Sequence, residues 1–141
     1  MNVRDVMTTD VTCISPDATL QEAAQKMRSL DVGSLPICDN DRLAGMITDR
    51  DITIRAIADG CDPTQTPVRQ AMSKGVAYCF EDDDLQQVEQ IMKDKQIRRL
   101  PVLNRSKRLV GIVSLGDLAL TADEQECGEV LERISEPAHA H

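Results

Sequence analysis

Apolar and polar positions along this chain fall into the same series of short segments twice. Val11-Thr12-Cys13-Ile14 is brief and β-prone, and Ser15-Pro16-Asp17 breaks the run. Leu20, Ala23, Ala24, Met27 and Leu30 then recur at i, i+3, i+4, i+7 and i+10, which predicts a helix with one apolar face. Thr19 and Glu22 have capping-box spacing at its start. Two short strands follow, Leu35–Cys38 and Leu43–Thr48, joined by the polar turn Asp39-Asn40-Asp41-Arg42. A second helix is predicted over Asp49–Asp59, with Ile52, Ile54 and Ile57 ahead of Gly60 as the stop.

From Val68 the order returns. V-R-D-V-M at Val3 reappears as V-R-Q-A-M, Asp84 takes the capping position, and Leu85, Val88 and Met92 keep the helical face. The strands recur as Leu100–Leu103 and Leu109–Ser114, and Leu115–Leu120 begins the second helix. The connection 104–108, which opens Asn104-Arg105-Ser106-Lys107, is one residue longer than 39–42 in the first copy. Self-similarity of this kind decides the architecture before any local detail. The unit is β-α-β-β-α, twice, an α/β (α+β) fold. The repeats are read as 7–65 and 72–127, with Cys61–Pro67 as linker and 128–141 as a C-terminal helix and tail. In that tail Cys127, Val130, Leu131 and Ile134 have helical spacing. Halves of about 60 residues bury too little surface to be robust alone. They are therefore expected to pack together with pseudo-twofold symmetry.

Composition narrows the function. Among 141 residues there is one Tyr, one Phe and no Trp, so the core is aliphatic and stacking platforms for bases are missing. A net charge of −8 opposes a nucleic-acid face. No apolar run approaches membrane-spanning length, and M-N-V-R-D-V-M lacks the apolar stretch of a secretory leader. Five dispersed cysteines without a C-x-x-C pair fit a reducing cytoplasm rather than a disulfide or zinc framework. Both histidines, His139 and His141, are terminal, so the folded part has no Ser/His/Asp or Cys/His set, and no Walker-type loop is present. No catalytic residue and no metal site is predicted.

The repeated order, the Leu-Pro dipeptides Leu35-Pro36 and Leu100-Pro101, and the junctions G-M-I-T-D-R-D (45–51) and G-I-V-S-L-G-D (111–117) resemble a tandem pair of CBS domains, the Bateman module. The resemblance covers about residues 3 to 125 and extends to small stand-alone bacterial pairs of the hypoxic-response type. It implies regulatory binding of an adenine nucleotide (AMP, ADP or ATP) in clefts between the repeats, with no other cofactor. It also implies a homodimer and leaves S-adenosylmethionine open as ligand.

Chemistry at the junctions is compatible with that. One carboxylate can accept a forked hydrogen bond from the two hydroxyls of a ribose, a role suited to Asp51 and Asp117. Thr48 and Ser114 could donate to a sugar or phosphate oxygen, and Gly45 and Gly111 would admit a ligand close to the strand. The same Thr-x-x-Asp and Ser-x-x-Asp spacing is also that of a plain capping box, and on spacing alone capping is the stronger reading; the resemblance places these carboxylates on ribose. It further groups Thr48 and Asp51 with Ile97, Arg98, Arg99 and Pro101 in a main cleft, with Tyr78, Cys79 and Phe80 near its base. Arginine suits bidentate phosphate recognition, although two arginines on a solvated edge would also discourage strand pairing. The second cleft joins Ser114 and Asp117 to Val32, Gly33, Ser34 and Pro36, without a cation, so weaker binding is expected there. The alternative is an interaction module with vacant clefts, redox-responsive through Cys13 and Cys38. Buried small hydrophobes are the simpler reading of those two thiols, which have no basic neighbour in sequence.

Overall fold

In the computed structural model, which describes residues 1–120 and Ile134, helix α1 (Leu20–Leu30) starts at the predicted capping box. The Thr19 hydroxyl accepts from the Glu22 N–H at 3.2 Å, and the Glu22 carboxylate accepts from the Thr19 N–H at 3.0 Å. Leu20, Ala23 and Met27 are buried, while Ala24 and Leu30 are exposed, so the apolar stripe is narrower than the periodicity suggests. β1 (Ser34–Asp39) and β2 (Arg42–Thr48) form an antiparallel hairpin. Asn40 and Asp41 take φ of 51° and 67°, the left-handed pair that a two-residue hairpin loop needs. The predicted helix over Asp49–Asp59 becomes a π-helical segment, Asp51–Ile57. There the Ala58 N–H reaches the Thr53 carbonyl at 3.1 Å, five residues back. Its predicted apolar face is split: Ile52 lies on the core and Ala56 is buried, whereas Ile54 and Ile57 are exposed.

The predicted opening strand contracts to one parallel bridge, Ile14 to Ile37. Pro16 explains why. Ile14 donates to the Pro36 carbonyl and Cys38 donates to the Ile14 carbonyl, so the next donor in the ladder would be residue 16, which has no N–H. In the second repeat Glu81 holds that position and donates to the Leu103 carbonyl at 2.9 Å. A true strand therefore forms, β3 (Cys79–Phe80), parallel to the strand after α2 (Leu85–Lys95). That strand, β4 (Arg99–Leu103), pairs antiparallel with β5 (Leu109–Ser114), and α3 (Leu115–Ala119) follows directly. The extra turn residue is absorbed by Asn104, whose side-chain oxygen accepts from the N–H groups of Ser106 and Arg108, and by Lys107 at φ 62°.

The compact units do not coincide with the 7–65 and 72–127 division. One is Thr12–Val76; the other combines Met1–Val11 with the described chain from Ala77. Each V-R-x-x-M lead-in seats on the opposite repeat. Val3 and Arg4 donate to the carbonyls of Asp83 and Glu81, while Val68 and Arg69 donate to those of Ala18 and Pro16. Val3 is fully buried with Val88, Met92, Leu100, Val102 and Val113, and Val68 with Leu20, Leu35, Ile37 and Ile47. The lead-ins also finish the sheets, through the bridges Thr8–Ile112 and Met46–Ser73, which covers otherwise unpaired strand edges. Ile134 is helical and packs against the second core. Cys127, Val130 and Leu131, predicted to share its helix, lie outside the described residues, as do His139 and His141.

Candidate functional site

Both junction carboxylates occupy a reciprocal turn. The Thr48 N–H donates to Asp51 Oδ2 at 3.0 Å and the Asp51 N–H donates to Thr48 Oγ1 at 3.0 Å. The Ser114 N–H donates to Asp117 Oδ2 at 2.8 Å and the Asp117 N–H to Ser114 Oγ at 3.1 Å. The capping reading is thus realised in both repeats, and it uses one oxygen of each carboxylate. The other oxygen of Asp51 faces Arg55 Nε at 3.7 Å, a partner four residues on that the helical spacing could have suggested.

Within each unit the turn adjoins its own repeat's segment before Leu-Pro. Ser34 lies opposite Thr48, and the Asp49 N–H donates to the Gly33 carbonyl at 3.0 Å. Arg99 lies opposite Ser114, and the Leu115 N–H donates to the Arg98 carbonyl at 2.8 Å. Arg98 and Arg99 are exposed, and no ion pair among the described residues engages either. Val32 and Ile97 are half-buried, each donating its N–H to the helix before it, to Met27 and Met92 respectively. Pro36 and Pro101 are buried.

Gly45 and Gly111 correct the sequence reading. The space a Cβ would take is filled by the protein itself rather than left for a ligand. At Gly45 it would lie 2.6 Å from the Ser73 carbonyl oxygen, and at Gly111 2.7 Å from Met7 Sδ and 2.8 Å from the Thr8 carbonyl oxygen.

The aromatic pair sits beside β3. Tyr78 is exposed and meets the Phe80 ring edge-on at 5.6 Å, and the Arg105 guanidinium lies 4.2 Å from the Phe80 centroid. Arg105 also pairs with Asp82 at 2.8 Å; their hydrogen bond holds the Asp82 carboxyl below its ordinary range. Cys79 between them is buried, with its thiol toward the Pro101 carbonyl at 3.8 Å. Burial, reinforced by the charge of Asp83, pushes that thiol from 9.0 up to about 12. The sign follows from linkage. Below about pH 9 both states keep the proton; above it the unfolded thiol ionises first. Cys79 therefore makes stability fall as pH rises toward 12, with a slope of up to about 1.4 kcal/mol per pH unit. Urea titrations between about pH 8 and 11 should give a shallower decline for Cys79→Ala than for the parent protein.

Among the described residues no group of three or more His, Cys, Asp or Glu is placed to hold a metal ion, and no helix is long and apolar enough to cross a membrane. A family model for the CBS domain matches residues 3–56 and 68–122. The CBS domain-containing protein YhcV of Bacillus subtilis (strain 168) is 44% identical over 135 residues, covering 95% of each chain. The crystal structure of Hypoxic Response Protein I with two coordinated zinc ions is 41% identical with a TM-score of 0.80, over 87% of this chain and all of that one. The CBS domain pair of protein MJ0100, in complex with 5′-methylthioadenosine and S-adenosyl-L-methionine, is 26% identical with a TM-score of 0.73, over 85% of this chain and 94% of that one. Two matched segments, each with the same hairpin and the same carboxylate turn, settle the relationship: this chain belongs to the CBS-domain family, as a tandem CBS pair.

Proposed function

We propose that this CBS pair is a non-catalytic regulatory module that binds an adenine nucleotide (AMP, ADP or ATP) and reports energy or stress state. One observation carries the reading. Both repeats hold a carboxylate in the first helical turn by reciprocal bonds, Asp51 with Thr48 and Asp117 with Ser114, so that it is pre-oriented and keeps one oxygen outside the turn. A ribose diol donates to such an oxygen without dismantling the turn. The MJ0100 pair, solved with two adenosine-bearing ligands, supports adenosine as the shared chemistry.

Phosphates fall to Arg98 and Arg99, exposed cations that no described acid occupies. The grouping of these arginines with Thr48 and Asp51, and of Ser114 and Asp117 with Val32, Gly33 and Ser34, belongs to the same proposal. So do a homodimer and a cytoplasmic setting. Binding acts by differential affinity for two states of the module, which is the only way a ligand shifts such an equilibrium.

Calorimetry with AMP, ADP, ATP and S-adenosylmethionine tests this. At least one should bind, and Asp51→Asn or Asp117→Asn should weaken it at least tenfold, because a charge-assisted hydrogen bond contributes about 1.5–3 kcal/mol. Binding at about 100 times the dissociation constant adds roughly 2.7 kcal/mol, visible as a rise in Tm. No heat and no rise with any of the four would replace the nucleotide reading by an interaction module.

A further inference from the structure

The first repeat leaves open a strand edge that the second repeat closes at Phe80. Ile14 turns both backbone groups to β1: its N–H donates to the Pro36 carbonyl at 3.1 Å, and its carbonyl accepts from Cys38 at 2.9 Å. Backbone groups alternate sides along an extended chain, so those of Cys13 and Ser15 face away from the sheet. The Ser15 carbonyl accepts from the Ala18 N–H at 3.1 Å. The N–H groups of Cys13 and Ser15 and the Cys13 carbonyl have no partner among the described residues.

In the second repeat Phe80 stands for Ser15 and Asp83 for Ala18, as the bridges Ile14–Ile37 and Cys79–Val102 align them. There the Phe80 carbonyl accepts from the Asp83 N–H at 3.0 Å, the same turn, but the Phe80 N–H also donates to Asp83 Oδ2 at 2.9 Å. Ala18 has no oxygen to offer, so the Ser15 N–H stays open. The open edge borders a pocket of about 470 Å³ within the first unit, lined by Cys13, Ser15 and Ala18 and, from α1, by Glu22 and Lys26. The Glu22 carboxylate is held by the Thr19 N–H at 3.0 Å. Lys26 is exposed, and no acid among the described residues pairs with it.

We propose that this groove docks an extended acidic peptide segment of a partner protein, which adds as a strand to Cys13–Ser15 and places an Asp or Glu side chain at Lys26. Outward groups two residues apart, roughly 6.8 Å at the rise of a strand, match the repeat of another extended backbone. Main-chain bonds to Cys13 and Ser15 supply the register, and α1 forms the opposite wall. The free cation beside the edge selects for negative charge in the occupant, as complementary charges do at interfaces. Pro16 has no N–H, so pairing ends there and the docked stretch is short. This site shares no residue with the carboxylate turns.

The probe is a displayed library of random octapeptides, panned on the whole protein. Enriched peptides should combine β-branched residues with Asp or Glu. With a synthesised winner bound, hydrogen exchange at the Cys13 and Ser15 amides should slow at least tenfold while that at Ile14 changes little. Ala18→Asp, which supplies the oxygen that Asp83 gives to Phe80, should weaken binding at least tenfold with an unchanged circular dichroism spectrum. Lys26→Glu should weaken it several-fold, and Lys26→Arg should restore it. The proposal is overturned if no peptide is enriched, if winners lack acidic residues, or if the two amides exchange as before. Equal binding to a folded Ala18→Asp variant overturns it too. If that variant instead halves the mass of the parent in sedimentation, a second copy holds the edge and the peptide reading falls.

Discussion

Gly45→Ala is expected to destabilise the protein by about 1–3 kcal/mol, the range for adding a methyl group where packing is already complete. The new Cβ would stand 2.6 Å from the Ser73 carbonyl oxygen. That oxygen accepts from the Met46 N–H at 3.1 Å, while the Ser73 N–H returns to the Met46 carbonyl at 2.9 Å. The methyl group cannot be relieved by a rotamer change, because the obstacle is backbone. Relief requires losing the bridge that closes the edge of β2. Gly111→Ala should behave alike, since Met7 can swing aside but the Thr8 carbonyl cannot. Gly116→Ala is the control. Its Cβ would meet Ser114 Oγ at an ordinary 3.6 Å, so the change should be near neutral. Thermal denaturation of the three variants separates two accounts of the glycines. If they made room for a ligand, Gly45→Ala would lose nucleotide binding with its Tm intact. If they admit the lead-in segments, Tm falls first. A Tm within a degree of the parent would show that Ser73 is not seated there.

How far the fold could be read from sequence varied with the range of the interaction involved. The hairpins, the Thr19 capping box and the extra turn residue are local, and each was legible: Asn40-Asp41 suits a two-residue left-handed loop, and Asn104 suits the longer one. The unequal opening strands were legible in principle as well, because Pro16 and Glu81 differ in a single donor. Narrowing of the α1 stripe was not. Ala24 and Leu30 fit the helical period but lie off the face that β1 covers. The lead-ins were visible as a repeat, yet nothing in V-R-D-V-M says that Val3 enters the core of the later repeat and Val68 that of the earlier one. Long-range placement also hid Lys26 from Cys13 and Ser73 from Gly45. At the site, residue types and spacing identified Asp51 and Asp117 but could not divide capping from ribose binding. The structure realises the cap, and the ribose role belongs to the proposal that the family resemblance motivates.

Replacing Arg98 and Arg99 together by alanine is expected to weaken binding of the preferred nucleotide by at least tenfold, and by 100-fold where both guanidiniums reach phosphate. A hydrogen bond to a charged group contributes about 1.5–3 kcal/mol, and 1.4 kcal/mol is a factor of ten. Both side chains are exposed, so truncation should leave the unfolding free energy in the absence of ligand within about 0.5 kcal/mol of the parent. The loss should grow with phosphate number, from adenosine through AMP to ATP, and shrink at high salt. A mutant cycle then assigns the arginines to a carboxylate. Arg99 lies opposite Ser114, whose N–H is held by Asp117, while the family resemblance groups it with Asp51. Arg98→Ala and Arg99→Ala combined with Asp51→Asn should be less than additive if one ligand bridges them, because residues sharing a partner couple by about 0.5–3 kcal/mol. The same cycle with Asp117→Asn should then be additive. Coupling to Asp117 instead would move the phosphate site into the second-repeat unit and leave Gly33 and Ser34 as the uncharged surroundings of the Asp51 turn. Coupling to neither, with unchanged affinity for ATP, would return the two arginines to the role of charges guarding an exposed strand end.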